Sequence, residues 1–218
     1  MNWLAGAIIA GITSFAATNI DDIVILMLFF AQVNASFRPR QIVVGQYLGF
    51  SVLIIASLPG FFGGLIVPRA WIGLLGLVPI AIGVTRLVNR EKDEEVQAVS
   101  DELNRSRGNN SLGSTLTSLI SPQTLNVAAV TFANGGDNIG IYVPLFASST
   151  LASLLVILGI FFLLIGVWCY IAYLLARQPA IAHVLTRYGK AVVPFVLIGL
   201  GIFILLESGT YQLLPSFQ

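Results

Sequence analysis

Thr18-Asn19-Ile20-Asp21-Asp22 lies midway along the run from Leu4 to Val33, which is otherwise apolar and long enough to cross a lipid bilayer. A second stretch, Asn134-Gly135-Gly136-Asp137-Asn138, interrupts a comparable run from Leu119 to Ala147. A charged carboxylate at the bilayer centre costs about 2.5–3.5 kcal/mol on insertion scales, so Asp21, Asp22 and Asp137 each require a partner. No lysine or arginine lies within either run. The counter-charge expected from the sequence is therefore a mobile cation or a proton.

The rest of the chain has the same character. Of 218 residues, 56% are apolar and 10% charged, which lies far outside the range of soluble globular domains and points to an integral membrane protein. Six apolar runs are long enough to span: Leu4 to Val33, Ile42 to Val67, Trp71 to Val88, Leu119 to Ala147, Leu151 to Ala176, and Ala191 to Leu206. Together they leave no room for a soluble domain. Met1-Asn2-Trp3 carries no basic residue ahead of the first run, so that run is expected to be retained rather than cleaved as a signal peptide. The one cysteine, Cys169, sits inside the fifth run and reads as a small buried hydrophobe.

Ten of the eleven basic residues fall on one side of such a six-span layout. Arg38 and Arg40 lie between helices one and two; Arg86, Arg90, Lys92, Arg105 and Arg107 between three and four; Arg177, Arg187 and Lys190 between five and six. Only Arg69 falls opposite. The positive-inside rule makes the basic side cytoplasmic, which places both termini outside the cytoplasm and the protein in the bacterial inner membrane. Residues 90–118 are the one long polar interruption and read as a cytoplasmic linker, with a short surface helix over Glu94 to Leu103 as the minor alternative. The linker separates residues 1–89 from 119–218.

Those two parts resemble each other. A shift of 116 positions lays Asp21-Asp22-Ile23-Val24-Ile25 over Asp137-Asn138-Ile139-Gly140-Ile141, and Phe30-Ala31 over Phe146-Ala147. At nearly the same offset Val78-Pro79 meets Val193-Pro194, and Gly83 meets Gly199. Each part has three helices, an odd number, so the second must enter the membrane from the opposite face. The expected fold is all-α, six transmembrane helices as two inverted three-helix repeats, a plan in which substrate is held near the midplane where discontinuous helices meet.

Thr, Asn and Asp favour caps over helix interiors because their side chains compete for backbone hydrogen bonds, so a break is expected at Thr18 to Asp22. Neighbouring residues on a helix point about 100° apart. Asp21 and Asp22 therefore grip one ion only if the backbone departs from helix; otherwise one faces the site and the other a neighbouring helix. Paired glycines, followed by Pro144, mark the second break. Carboxylate, amide and freed backbone oxygens form a set suited to hard divalent cations such as magnesium, manganese or calcium. The candidate ligands are Asp21, Asp22, Asp137, Asn19, Asn134 and Asn138. Two carboxylates balance one divalent ion, leaving a third to carry a proton in an exchange mechanism. Buried polar residues also serve as interhelical glue, a role that asparagine fills at lower cost than aspartate.

The runs Asn19-Ile20-Asp21-Asp22-Ile23-Val24-Ile25-Leu26-Met27-Leu28-Phe29-Phe30, Gly45-Gln46-Tyr47-Leu48-Gly49-Phe50 and Ala133-Asn134-Gly135-Gly136-Asp137-Asn138-Ile139-Gly140-Ile141-Tyr142 resemble the bacterial cadmium resistance transporter family, part of the lysine exporter superfamily. The resemblance implies a small efflux protein that lowers cytoplasmic cadmium, with Asp21, Asp22 and Asp137 at the family's acidic positions. Cadmium is a soft ion that favours thiolate. Yet neither acidic motif contains cysteine, and the one histidine, His183, reads as a solvated loop residue. Either a weak oxygen site releases its ion readily, or a harder metal is the cargo.

Elsewhere Gly45 and Gly49 have the small-xxx-small spacing of a helix contact, with Gln46 and Tyr47 between them as lesser candidates for the site. Glu207 reads as an ordinary surface acid, and Trp3, Trp71 and Tyr211 as interfacial anchors. An intramembrane aspartyl protease is the competing class, but the first glycine of its GxGD signature is Asn134 here. The sequence thus predicts a secondary transporter, not an enzyme, whose partners are a divalent cation, protons and the bilayer. No cofactor and no nucleic acid are expected; a dimer and a monomer are equally allowed. Export of manganese, calcium or a basic amino acid is the alternative.

Overall fold

The computed structural model describes residues 2–88 and 121–210, with side chains left out at Asn2 and 179–190. Among the described residues every regular element is helical. In chain order these are α1 (Asn2–Asn19), α2 (Asp22–Ala31), α3 (Pro39–Ile66), α4 (Arg69–Ile72), a 3-10 turn (Gly73–Gly76), α5 (Leu77–Val88), α6 (Pro122–Asn134), α7 (Ile139–Ser148), α8 (Leu151–Leu175) and α9 (Pro179–Glu207). The expected linker, its candidate helix and Tyr211 lie outside the described residues.

Three helical stretches are long and apolar enough to cross a membrane: Pro39–Ile66, Arg69–Val88 and Leu151–Leu175. The pair α1 and α2, bent by 60° at its break, makes a fourth if it counts as one span. Ile139–Ser148 and Ala191–Glu207 are apolar but shorter. The outward faces are greasy: Ile55, Phe62 and Leu65 of α3 and Leu155, Leu163 and Tyr170 of α8 are all exposed, as a lipid-facing surface requires and a water-facing one rarely tolerates. Trp3 and Trp71 are exposed as interfacial anchors would be, and Glu207 lies at the exposed end of α9. The last helix begins at Pro179 instead of Ala191. Pro179 occupies the first turn, where its missing N–H costs nothing, and a polar first stretch hides this part of the helix from a hydropathy reading.

Packing is reciprocal between the two parts of the chain. The long helix α3 lies along α6 and α7, the long helix α8 lies along α1 and α2, and α5 packs on α9. Glycine makes the first contact close. A Cβ at Gly45 would stand 2.6 Å from Val127 Cβ, one at Gly49 would stand 2.5 Å from the Ala128 carbonyl oxygen, and one at Gly60 would stand 2.5 Å from that of Val143. Gly45 and Gly49 are thus the helix contact their spacing predicts. On the other side, a Cβ at Gly76 would stand 2.6 Å from the Gly201 carbonyl, and one at Gly83 would stand 2.7 Å from that of Pro194.

Where α1, α3, α7 and α8 converge, an aromatic cluster fills the interior. Phe15 stands 5.5 Å from Phe50, 5.7 Å from Phe161 and 5.3 Å from Trp168 between ring centroids, and Tyr142 stands 4.9 Å from Phe161. Through Phe15 of α1 and Tyr142 of α7, the cluster packs against the helices that adjoin the two breaks.

Candidate functional site

The first break follows from side chains capturing backbone acceptors. Ser14 Oγ donates to the Ala10 carbonyl (2.5 Å), Thr18 Oγ1 to that of Ser14 (2.9 Å) and Asn19 Nδ2 to that of Phe15 (2.9 Å). Such bonding back one turn bends helices. Asp21 keeps near-helical angles (φ −74°, ψ −30°), so the chain is kinked there, not unravelled. The Asn19 carbonyl receives the indole N–H of Trp168 from α8 at 2.8 Å. That carbonyl, at the end of α1, thus already takes one hydrogen bond from within the protein.

The second break spans Gly135 to Asn138. Neither Gly135 nor Gly136 has a positive φ, so the glycines do not act as left-handed breakers. At Gly135 the reason is steric: a Cβ would collide with Leu53 Cδ1 and stand 3.3 Å from Asn138 Nδ2. Loss of the side chain lets the turn press against α3.

Between the breaks the acids take different partners. Asp22 is buried; its Oδ1 accepts from Asn134 Nδ2 at 2.6 Å, and its Oδ2 from Gln46 Nε2 at 3.1 Å. Gln46 Oε1 in turn accepts from Thr131 Oγ1 at 2.6 Å. Asp21 points instead to α5, where Arg86 Nη1 lies 3.8 Å from its Oδ2. Arg86 Nη2 donates to Asp137 Oδ2 at 2.6 Å. One guanidinium therefore bridges a carboxylate from each break.

This corrects the expectation that no basic side chain serves these acids. Arg86, assigned from sequence to the third connection, sits in the last turn of α5 and reaches the site through the fold. Asp21 and Asp22 take different partners, Arg86 for the one and Gln46 and Asn134 for the other, although the helix is broken beside them. Asn134 joins Asp22. Asn19 and Asn138 are both buried, Asn19 Oδ1 and Asn138 Nδ2 without a hydrogen-bond partner, so each carries unspent polar capacity beside a break. Tyr47 does not join the site; its hydroxyl donates to the Phe162 carbonyl at 2.9 Å and ties the two long helices together.

Besides Arg86, three residues at the site were not singled out in the sequence. Tyr142 Oη lies 2.7 Å from Thr18 Oγ1 and 3.1 Å from Asn19 Nδ2, joining α7 to the first break. Thr131 orients Gln46, and Trp168 holds the Asn19 carbonyl. A hydroxyl or indole N–H inside an apolar run must find a partner, and that was the available signal. Cys169 is buried and unpaired in α8. Among the described residues no group of three or more His, Cys, Asp or Glu is arranged to hold a metal ion. The donors here are mixed carboxylate, amide and hydroxyl.

Apolar outer faces and a carboxylate-bearing interior where interrupted helices meet define a membrane protein with a polar centre. A family model described as cadmium resistance transporter matches residues 15–217, and the chain belongs to that transporter family. No curated protein and no solved structure matches.

Proposed function

We propose that this protein is a secondary transporter that exports a divalent metal cation, cadmium foremost, from the cytoplasm through a site between its two helix breaks. The observation that carries this reading is the 2.6 Å hydrogen bond from Asn134 to Asp22, which joins the two interrupted helices at an acidic side chain. In this reading Asp21, Asp22 and Asp137 supply charge, and Asn19, Asn134 and Asn138 supply amide oxygens.

The two halves act as inverted three-helix repeats in six spans, with residues 90–118 as the connection between them. The reciprocal packing of α3 on α6 and α7, and of α8 on α1 and α2, supports this, since a two-fold relation exchanges those pairs. Alternating access then amounts to rocking one half against the other about the breaks. Both termini face away from the cytoplasm of a bacterial inner membrane. Proton exchange supplies the drive: a carboxylate that releases the metal takes up a proton for the return.

An all-oxygen set holds a soft ion weakly, which suits an exporter that must release its cargo. Export of a basic amino acid is the second reading, and one observation favours it: the Asp21 and Asp137 carboxylates already accommodate a guanidinium. Proteoliposomes carrying the purified chain, tested in parallel for radioactive cadmium, manganese, calcium and lysine, separate the readings. Movement of cadmium that is lost in Asp22→Asn supports metal export. Movement of lysine without any metal overturns it.

A further inference from the structure

We propose that Arg86 is a tethered counter-cation, occupying the gap between Asp21 and Asp137 while the site is empty and leaving it when the transported ion binds. The inference rests on the metal-export reading above. Its basis is geometric. Arg86 Nη2 stands 2.6 Å from Asp137 Oδ2, a short charge-assisted hydrogen bond. Arg86 Nη1 lies 3.8 Å from Asp21 Oδ2. An ion bridging the carboxylates of the two breaks must enter the space this planar fork fills.

The chemistry suits the role. A guanidinium stays protonated under all physiological conditions and is weakly hydrated, so it can leave water and neutralise carboxylates between transport events. Its long side chain projects from the last turn of α5 and is 29% exposed, which gives it somewhere to withdraw. Asp22 stands outside this exchange, its two oxygens engaged by Asn134 and Gln46. The incoming ion meets Asp22 as a fixed ligand and Asp21 and Asp137 as ligands it must win from Arg86. Linkage then demands reciprocity: whatever loosens Arg86 tightens metal binding, and bound metal loosens Arg86 by the same factor.

The tether also serves the return step. An empty site with bare carboxylates resists crossing the low-dielectric interior; the exchanged proton neutralises one of them and Arg86 offsets another, so the empty carrier can reorient. Arg86→Gln should therefore bind cadmium about tenfold more tightly or better while turning over more slowly, so that KM and kcat fall together. Arg86→Lys, which keeps the charge but loses the fork, should move both back toward the wild type. A purely structural Arg86 predicts weaker binding, not tighter.

The test uses the full chain in detergent and in proteoliposomes. Cadmium affinity is measured by calorimetry for wild type, Arg86→Gln and Arg86→Lys, and uptake kinetics are followed in parallel. The modification of Arg86 by phenylglyoxal, followed by peptide mass spectrometry in the wild type, gives a readout that survives misfolding of either variant. Tighter binding with slower turnover in Arg86→Gln, or faster modification of wild-type Arg86 on adding cadmium, supports the proposal. Unchanged or weaker binding in a folded Arg86→Gln, or modification that cadmium leaves unchanged or slows, overturns the tether alone. A wild type that binds no metal overturns the export reading and the tether with it.

Discussion

Replacing Asp22 separates its structural role from the transport role proposed for it, because the two obvious substitutions leave different debts behind. Asp22→Ala removes the acceptor for Asn134 Nδ2 (2.6 Å) and for Gln46 Nε2 (3.1 Å) together. A buried donor left unsatisfied costs about 1–3 kcal/mol, so two cost about 2–6 kcal/mol. In Asp22→Asn one acceptor survives, and the new amide opposes only one of the two donors. Gln46 can relieve that clash by turning its own amide, since Thr131, its other partner at 2.6 Å, has a hydroxyl able to accept as well as donate. The expected cost of Asp22→Asn is then about 1 kcal/mol, one ordinary hydrogen bond. Thermal unfolding of the purified variants in detergent should place Asp22→Asn close to wild type and Asp22→Ala well below it, while proteoliposome uptake of cadmium is lost in both. Equal stability of the two variants, or wild-type uptake by Asp22→Asn, would refute the reasoning.

Further outcomes follow from the packing and the first break. Gly49→Val drives a side chain into the Ala128 carbonyl and Thr131 Cβ, so overpacking should lower stability by about 1–3 kcal/mol; Gly63→Ala, with nothing within 4 Å of its Cβ, should be neutral or stabilising by up to about 1 kcal/mol, both read by detergent melting. A double-mutant cycle of Thr18→Val and Tyr142→Phe should show a coupling of about 0.6–1.7 kcal/mol across their 2.7 Å contact, and zero coupling would deny that contact. Cys169→Ala should leave cadmium uptake intact if the ion is held by oxygen alone; loss of uptake in a variant that still folds would assign a thiolate to the site.

Much of this architecture is legible in the sequence. Hydropathy alone locates the segments now seen as α3 and α8 to within a few residues, because an apolar run must begin and end where lipid does. Both breaks are legible too, since Thr, Asn and paired Gly are poor helix formers wherever they fall. The reason for the glycines is not: a missing Cβ that admits Leu53 to Gly135 depends on a helix far away in the chain. Arg86 shows the same limit most clearly. It closes an apolar helix, its partner Asp137 is 51 residues away, and nothing local marks it as the cation that two breaks share. The start of α9 at Pro179 was hidden because polar residues near its start dilute the hydropathy on which a span is recognised.

Calorimetric titration of cadmium into the purified wild type, beside Asp21→Asn, Asp22→Asn and Asp137→Asn, tests the proposed shared metal site most directly. Saturable binding by the wild type, weakened about tenfold or more in each variant that still folds, is the predicted result. Binding that survives all three substitutions, or that none of the four chains displays, would contradict it.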